Sequence, residues 1–430
     1  NLNYWKDYKS KMSDIQKYQY VGLKVSAQNW EYAKKISTYC KSQNPDISII
    51  WGGEFPTLMP DLCLKNADII VKKRIEGCVD EFLNDLESGR PKQVYDGGTD
   101  FSQEAFIPDF TSFSSKKYSK TMGLPIETSA GCDRYCKFCM VHTMQPGRVF
   151  KSANQLSDEL HQASGKFLNV VDYNIGMNKE HLLTVCNEFA RSNILGWMGE
   201  LVLETLDDDE ILAALKRSRC KTIYCGLESI SEEGLKSVNK HKTNSPAHYR
   251  RIIKKVQSYG INVASGLIIG LDGADFDTFK KTLDFFTETG IEYVKITFLT
   301  YNPGTFYHKT MKKKGAFLSD DYSKFDGNHL TYLANGLDVE RLYSGTEMFI
   351  REFYSLGNIV TRSNNSKLPL KRKLEMFLFN LYYRQTYFYW VREDALRVDN
   401  NAIQKLIEKP IQLGFGARLA EALIGQVRKL

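Results

Sequence analysis

Strand-like and helix-like segments alternate six times between Leu124 and Leu299. The predicted strands are Leu124–Ser129, Phe167–Tyr173, Gly199–Glu204, Lys221–Leu227, Val263–Ile269 and Tyr293–Leu299. The predicted helices between them are Ala153–Ala163, Lys179–Ala190, Asp208–Lys216, a longer helical region Glu232–Tyr259, and Asp275–Thr287. Right-handed crossovers would wind these units into an open (β/α)6 partial TIM barrel, whose chemistry belongs at the carboxyl ends of the strands.

The first of these strands leads into a loop with three cysteines, Cys132, Cys136 and Cys139, at C-x3-C-x2-C spacing. Three thiolates this close together can hold three irons of a [4Fe–4S] cluster and leave the fourth iron without a protein ligand. A closed structural site would have four ligands, so the open iron indicates a place where a substrate or cofactor binds. The alternatives are a zinc site completed by a nearby residue such as His142, or cysteines without a shared role.

Polar side chains are also predicted at the ends of the other barrel strands. They are Asp172, Asn174, Glu204, Glu228, Ser229 and Tyr301. Several have a structural alternative. Asp172 and Asn174 could cap the following helix, and Glu228 could be a surface carboxylate. Tyr301 could be a packing residue, and the glycines of 266–270 could serve close packing.

The first hundred residues show a second alternation of strands and helices. The strands are predicted at Tyr20–Ser26, Ile47–Trp51 and Ala67–Val71, and the helices at Trp30–Ser42, Pro60–Lys65 and Val79–Leu86. This pattern predicts a parallel, doubly wound, Rossmann-like sheet. Ligands of such sheets lie at the carboxyl ends of the strands, where Ser26, Gly52-Gly53 and Glu76-Gly77 are predicted. The glycines would let the backbone approach a bulky ligand.

After Gly304 the strand pattern stops, and helices are predicted at 338–352, 368–390 and 401–427. The segment Leu374–Trp390 is rich in aromatic residues, and its apolar positions surround the helix, which predicts burial in a helical cap. A wall for a hydrophobic or planar substrate is a second interpretation. A shallow membrane contact is a third, because Lys367, Lys371, Arg372 and Lys373 precede the segment.

Composition excludes several classes of protein. The net charge of +7 is mild for 430 residues and is spread along the chain, so nucleic-acid binding is not expected. The nine cysteines have irregular spacing, which favours a reducing cytoplasm over a disulfide framework. No apolar run is long enough to span a membrane, and nothing resembles a signal peptide. The chain begins at Asn1 without a methionine, as a fragment or processed protein would.

Several of these motifs resemble the radical S-adenosylmethionine (SAM) superfamily. They are the cysteine loop, Gly226-Leu227-Glu228-Ser229, Asn239-Lys240, the strand Gly266–Gly270, and Asn302-Pro303-Gly304-Thr305. The resemblance implies that SAM chelates the open iron. It places Phe138 near the adenine together with Gly266, Ile268 and Gly270, and Glu228 and Ser229 near the ribose or methionine part. Asp172, Asn174 and Glu204 are further candidate SAM contacts.

The first domain resembles the second half of a cobalamin-binding domain. The residues that carry this likeness are Ser26-Ala27-Gln28, Gly52-Gly53-Glu54-Phe55-Pro56-Thr57 and Arg74-Ile75-Glu76-Gly77. It implies cobalamin contacts at Ser26, Gly52, Gly53, Glu54, Glu76 and Gly77. The D-x-H-x-x-G motif that supplies a cobalt ligand in many members is not found in this sequence. Either its position lies before Asn1, or the cobalt has no protein His ligand. A Rossmann-like domain without a ligand is the alternative.

The sequence therefore predicts an α/β chain with four parts: a partial cobalamin-binding domain (1–95), a linker (96–122), a radical SAM (β/α)6 partial barrel (123–310) and a helical substrate cap (311–430). The resemblance implies an enzyme that cleaves SAM to a 5′-deoxyadenosyl radical and C-methylates an unactivated carbon through methylcobalamin, with Tyr301 as a candidate catalytic residue.

Two alternatives stay open: a non-methylating cyclase or rearranging oxidase of the same architecture, and a cobalamin or iron–sulfur sensor without turnover. The expected partners are a small or lipid-like hydrophobic substrate and an electron donor of the flavodoxin or ferredoxin type.

Overall fold

Two parallel sheets form the framework of the chain in a computed structural model. The structure describes residues 14–99, 108–110, 123–240, 246–273, 276–334 and 336–392. Most of the predicted linker and the whole predicted helix 401–427 lie outside the described residues. The two sheets fall on either side of the predicted linker.

The smaller sheet lies at the start of the chain and has four parallel strands in the order β1-β2-β3-β4. Its elements are β1 (Tyr20–Lys24), α1 (Trp30–Gln43), β2 (Ser48–Gly52), α2 (Glu54–Leu58), α3 (Pro60–Cys63), β3 (Ile69–Lys72), α4 (Val79–Glu87) and β4 (Val94–Asp96). The parallel sheet is confirmed. The strand order does not reverse within the described residues, so these residues do not show the predicted doubly wound arrangement.

The larger sheet has six parallel strands in the order β12-β11-β10-β9-β8-β5. Its strands are β5 (Leu124–Ile126), β8 (Phe167–Val170), β9 (Gly196–Glu200), β10 (Cys220–Glu228), β11 (Asn262–Ile269) and β12 (Val294–Phe298). A small antiparallel pair, β6 (Ser129–Ala130) and β7 (Val149–Phe150), flanks the cysteine loop. The predicted curled parallel sheet of six βα units is therefore present.

Helices connect these strands and continue after them. They are α5 (Val141–Met144), α6 (Ala153–Gln162), α7 (Lys179–Arg191), α8 (Asp209–Arg217), α9 (Glu232–Ser237), α10 (Pro246–Ser258), α11 (Phe276–Thr289), α12 (Phe306–Lys313), α13 (Val339–Phe353), α14 (Leu356–Asn365) and α15 (Leu370–Arg392). Short 3-10 helices lie at Ile15–Lys17, Ile75–Gly77, Ile175–Met177, Leu203–Asp207 and Tyr322–Lys324.

Two sequence predictions in the barrel are wrong in detail. The third strand covers Gly196–Glu200 and not Gly199–Glu204, so Glu204 lies on a 3-10 helix beyond the strand end. The predicted helical region Glu232–Tyr259 contains two separate helices, α9 and α10. Asn239 adopts a left-handed backbone with φ of 61° just after α9, which ends that helix because a left-handed residue cannot continue it.

Side chains and backbone from both domains join the two sheets. Arg74, after β3, donates from its two terminal nitrogens to the two carboxylate oxygens of Glu127, at 3.0 and 2.6 Å. Gly304, after β12, packs so closely on α2 that a Cβ would lie 2.3 Å from the Leu58 carbonyl oxygen. Helix α2 also packs against α5, which follows the cysteine loop. The strand ends of the small sheet therefore face this loop.

The helices after the barrel extend the outer layer around the larger sheet. Phe349 and Phe353 of α13 pack with Phe286 of α11 in the main hydrophobic core. Asn380 of α15 donates to the Glu292 carbonyl oxygen, just before the start of β12. The described part of α15 thus contacts the end of the barrel opposite the cysteine loop. No helix among the described residues is long and apolar enough to cross a membrane.

Arg362 fastens these helices to the barrel. Its guanidinium is fully buried, lies 3.5 Å from the Phe353 ring centroid, and donates to the carbonyl oxygens of Ile291, Glu292 and Phe353. It also donates to the side-chain oxygen of Asn380 at 3.0 Å. Burial lowers the pKa of this guanidinium to about 9, because the charged form loses its hydration.

Arg362→Ala should lower the free energy of unfolding by about 3 kcal/mol, because buried acceptors would lose their donors. The measurement is denaturant unfolding of the two proteins side by side. Arg351→Ala on the neighbouring helix is the control, because Arg351 forms an exposed pair with Glu347. Such pairs contribute about 0.5 kcal/mol or less. Equal losses in the two variants would show that Arg362 does not fasten the helices.

Candidate active site at the cysteine loop

The three predicted cluster ligands differ from the other cysteines of the chain. Cys132, Cys136 and Cys139 are partly exposed, whereas the other six cysteines are buried. The backbone N–H groups of Arg134 and Val141 donate to the sulfurs of Cys132 and Cys139, each at 3.5 Å. Such bonds stabilise thiolates and tune iron–sulfur clusters. This donor set and its access to solvent fit a cluster.

Burial raises the pKa of all three thiols, that of Cys139 to about 11. The thiols are therefore protonated until a metal binds, and metal binding releases the protons. No three His, Cys, Asp or Glu side chains of the described residues converge on a site for one metal ion. A cubane cluster distributes its cysteines over separate irons, so the cluster does not need such a convergence.

The zinc alternative also lacks its fourth ligand. The Nε2 atom of His142 contacts the Arg134 carbonyl oxygen, and its ring stacks on Tyr135 with centroids 4.1 Å apart. The imidazole is thus held by the loop itself. The structure favours the open three-cysteine interpretation over a closed zinc site.

Asparagine side chains that follow two strands and one helix tether the loop. Asn174 donates to the Asp133 carboxylate at 3.0 Å, and Asn239 donates to the Tyr135 carbonyl oxygen at 3.0 Å. Asn302 donates to the Phe138 carbonyl oxygen at 3.1 Å. Because the loop has little regular secondary structure, these bonds define its shape. Asn239 and Asn302 belong to motifs named above, but no role was predicted for either residue.

Asp172 supports the loop from below. It is buried, and its oxygens accept from the Thr128 N–H at 2.7 Å, the Thr128 hydroxyl at 2.6 Å and the Ser129 hydroxyl. Burial nevertheless raises its pKa to about 6, since desolvation outweighs these bonds. Its oxygens are engaged by the strand that enters the loop. Asn174 is likewise buried and bonded to the loop, so both residues are placed to position the cysteines.

Glu228 carries an unusual backbone conformation at the end of β10. Its φ is 62°, and the pairing of β10 with β11 shifts register between Gly226 and Glu228. Left-handed backbone is costly for a residue with a long side chain and often marks a functional site. The kink turns the Glu228 carboxylate toward Lys240, whose ammonium lies 2.8 Å away. It also brings this ammonium to the Gly226 carbonyl oxygen.

The Glu228–Lys240 pair is largely buried, with side chains 13% and 17% exposed. Burial alone would lower the pKa of the Lys240 ammonium. The electrostatic effects of Glu228 and Cys136 are larger together, so the pKa is raised. Lys240 therefore places a positive charge beside the cysteine loop. Lys240 belongs to the motif Asn239-Lys240, but its pairing with Glu228 could not be predicted from the residues alone.

Four of the predicted SAM residues line one chamber in the barrel. Phe138, Glu228, Gly266 and Ile268 border a cavity of about 220 Å³. A Cβ on Gly266 would lie 2.6 Å from the Tyr224 hydroxyl oxygen and 3.1 Å from Glu228 Oε2. The glycine therefore keeps this wall open between two polar groups. Gln28 of the first domain reaches the same chamber.

The remaining predicted SAM residues lie around this chamber. Glu204 borders a second cavity of about 200 Å³ with Cys136 and Lys240. The Ser229 hydroxyl accepts from the Ser231 N–H at 2.9 Å, so it helps to start α9. Gly270 has φ of 88° directly after β11. The structure thus brings all of these residues to one edge of the barrel.

Tyr301 packs in an apolar cluster beside this edge. It is 5% exposed and lies with Ile268 and Leu299, and its ring centroid is 5.1 Å from that of Tyr332. Burial raises the pKa of its hydroxyl. These contacts agree with the packing interpretation of Tyr301, and its catalytic role stays a prediction.

The predicted cobalamin residues fall into two groups. Ser26, Gly52, Gly53 and Glu54 lie at the ends of β1 and β2, where α2 packs toward the cysteine loop. Gly53 has φ of 107°, and a Cβ there would lie 2.9 Å from the Val25 carbonyl oxygen. One carboxylate oxygen of Glu54 is buried without a hydrogen-bond partner among the described residues. An unsatisfied acceptor at this edge fits a ligand that carries donors.

Glu76 and Gly77 have local structural roles at the end of β3. Glu76 pairs with Arg74 at 3.1 Å. A Cβ on Gly77 would lie 1.8 Å from the Gly97 carbonyl oxygen, so this glycine serves the contact of two loops. Both residues also border a cavity of about 900 Å³ between the two domains.

Comparisons with known proteins agree with this geometry. Residues 126–286 match the Radical SAM superfamily model. The central domain is a radical SAM domain. The chain is also 26% identical over 368 residues to bacteriochlorophyllide d C-12(1)-methyltransferase of Chlorobaculum tepidum, with 83% of this chain and 79% of the relative covered. The predictions of this family and of an enzyme are confirmed.

Two solved structures share the fold. The radical SAM methyltransferase TsrM of Kitasatospora setae, with cobalamin and a [4Fe–4S] cluster bound, superposes with a TM-score of 0.67 at 14% identity over 90% of this chain and 91% of that one. The cobalamin-dependent enzyme OxsB, with aqua-cobalamin bound, gives 0.63 at 15% identity over 99% and 72%. At these identities the likeness shows the fold alone.

Cys136→Ala should remove most of the iron bound after anaerobic reconstitution, because two thiolates cannot retain a cluster that needs three. The measurement is iron and sulfide per chain together with the visible absorption spectrum. Cys78→Ala is the matched control, since Cys78 is buried in the small sheet's core and should leave the iron content unchanged. Full iron content in Cys136→Ala would contradict the cluster assignment.

Proposed function

We propose that this chain is a cobalamin-dependent radical SAM C-methyltransferase acting on an unactivated carbon of a small, largely apolar molecule. The observation that carries the proposal is the packing of α2 against α5. It sets the strand ends of the small sheet opposite the cysteine loop. The methyltransferase relative supports the reaction type, and TsrM and OxsB support the arrangement of domains.

The bound groups would supply the difficult chemistry: the cluster and SAM a 5′-deoxyadenosyl radical, and cobalamin a methyl group. The chain's own residues hold and enclose these groups. The three cysteines hold the cluster, and the asparagine tethers set its position relative to the barrel. Phe138, Gly266 and Ile268 provide an apolar wall for the adenine.

The charged residues at the strand ends have separate roles in this proposal. Glu228, held by Lys240, presents a carboxylate to the hydroxyl or amino groups of SAM. Lys240 also offsets negative charge near the cysteine thiolates. Because both side chains are shielded from solvent, their hydrogen bonds are stronger than they would be in water. The pair therefore orients SAM and does not take part in breaking its bonds.

Cobalamin is proposed to lie between the strand ends of β1 and β2 and the barrel mouth. Gly53 lets the end of β2 approach the end of β1 closely, and the unsatisfied Glu54 oxygen would accept from the amide groups of the ligand. The first domain also closes the barrel over the chamber through Gln28. Exclusion of water protects a carbon radical from side reactions.

A product assay tests the reaction type. Reconstituted protein with SAM, cobalamin, a reductant and a tetrapyrrole acceptor should give 5′-deoxyadenosine, S-adenosylhomocysteine and a product heavier by one CH2 group. Label from methyl-labelled SAM should appear in that product. Turnover of the acceptor without added methyl would contradict methylation and point to the cyclase or oxidase alternative.

Gly266→Ala should weaken SAM binding about tenfold or more, because the new Cβ forces Tyr224 or Glu228 to move. Binding is measured by calorimetry on the reconstituted protein under anaerobic conditions. Gly22→Ala in β1 is the control, because a Cβ there meets nothing within 4 Å. Iron content should be unchanged in both variants. SAM affinity equal to wild type in Gly266→Ala would place SAM elsewhere.

A further inference from the structure

The inner face of the barrel carries a solvent-exposed lysine that the proposed chemistry does not use. Lys295 lies in β12, where Val294 and Phe298 point to the helix-packed core. Side chains alternate along a strand, so Lys295 and Thr297 point to the opposite face. Both residues line the 220 Å³ chamber that also contains Phe138 and Glu228. The ammonium of Lys295 is therefore directed into the space where a substrate would meet SAM.

The carboxylates near Lys295 are engaged elsewhere. Glu228 pairs with Lys240 at 2.8 Å, and Asp326 pairs with His329 at 3.0 Å. In the described part of the chain, Lys295 forms no hydrogen bond or ion pair with either of these carboxylates. In the pairing of β11 with β12, Lys295 lies opposite Gly266, which has no side chain. A cation thus faces the chamber without an anion in contact.

Glu200 is a further acidic group on this face among the described residues. It lies in β9 beside Tyr224, and Lys295 lowers the pKa of its carboxyl while Glu228 raises it. Burial has the larger effect and raises this pKa to about 7, although solvent reaches the group through the barrel mouth. The raised pKa means that Glu200 carries less negative charge at neutral pH than an ordinary glutamate would. It compensates the charge of Lys295 only in part.

We propose that Lys295 binds a carboxylate of the substrate, so that the substrate class is a carboxylic acid with a large apolar body. This inference rests on the proposed function, whose chamber it uses. The chamber holds the hydroxyls of Thr297 and Thr300, and its two carboxylates, Glu228 and Asp326, have partners of their own. The single ammonium of Lys295 therefore matches a single negative charge. A phosphate would be expected to meet an Arg fork or several backbone N–H groups.

The depth of Lys295 fixes the orientation of the substrate. The residue lies three positions before Phe298, roughly 10 Å below the carboxyl end of β12. Its flexible stem lets the ammonium reach toward the mouth. A carboxylate held there leaves the apolar body at the strand ends, between the SAM residues and the first domain. The reacting carbon would then lie some distance from the acid group, on the apolar part of the molecule.

The test uses pheophorbide a, a chlorin with one free carboxylic acid, and its methyl ester. Binding to the anaerobically reconstituted protein is measured by fluorescence titration. Wild type should bind the acid about tenfold more tightly than the ester, and Lys295→Gln should remove this preference by weakening the acid alone. Lys295→Arg keeps the charge and should retain most of it. Lys280→Gln, an exposed lysine of α11, should behave as wild type.

Three outcomes would overturn the inference: equal binding of acid and ester by wild type, no binding of either, or an acid preference that survives in Lys295→Gln. Circular dichroism and iron content show whether the variants are folded and loaded. The same wild-type preparation is assayed for 5′-deoxyadenosine from SAM. Its absence would overturn the proposed function, whereas loss of the acid preference alone would overturn only the role of Lys295.

Discussion

The cysteine loop depends on amide side chains that come from three separate elements of the barrel. A loop of this kind has few backbone hydrogen bonds of its own, so its geometry is only as fixed as the elements that hold it. Asn174, Asn239 and Asn302 follow β8, α9 and β12. The barrel therefore does more than place the loop at its edge. Its curvature sets the distances between the tethers and, through them, the shape of the loop.

The second dependence is between the domains. The ion pair of Arg74 with Glu127 and the contact of Gly304 with Leu58 lie at opposite edges of the barrel sheet, beside β5 and β12. A ligand between the domains would thus be enclosed on two sides by contacts that do not involve it. Both contacts use groups with little freedom, a two-pronged guanidinium and a glycine. This favours a fixed spacing between the strand ends of the small sheet and the cysteine loop.

Much of this architecture could be predicted because it depends on local patterns. Alternating apolar segments predicted both sheets, and the spacing of Cys132, Cys136 and Cys139 predicted the cysteine loop as a cluster site. The exact end of β9 and the break between α9 and α10 could not be predicted, since they depend on tertiary contacts and on a left-handed residue. The pairing of Glu228 with Lys240 could not be predicted either, because it also depends on tertiary contacts. The bonds of Asp172 to Thr128 and Ser129 could not be predicted either, since these residues are distant in sequence.

The contact between Gly77 and Gly97 has a consequence for how the small domain can vary. Each glycine lies where the other's neighbouring backbone leaves no room for a methyl group: a Cβ on Gly97 would lie 1.5 Å from the Arg74 carbonyl oxygen. Neither glycine can be replaced by a larger residue. A compensating change is also impossible, because the opposite residue is already a glycine and no smaller residue exists. Among related proteins both positions should therefore remain glycine, even if the ligand of the domain changes. The reason is that the constraint comes from the close crossing of two loops and not from the ligand.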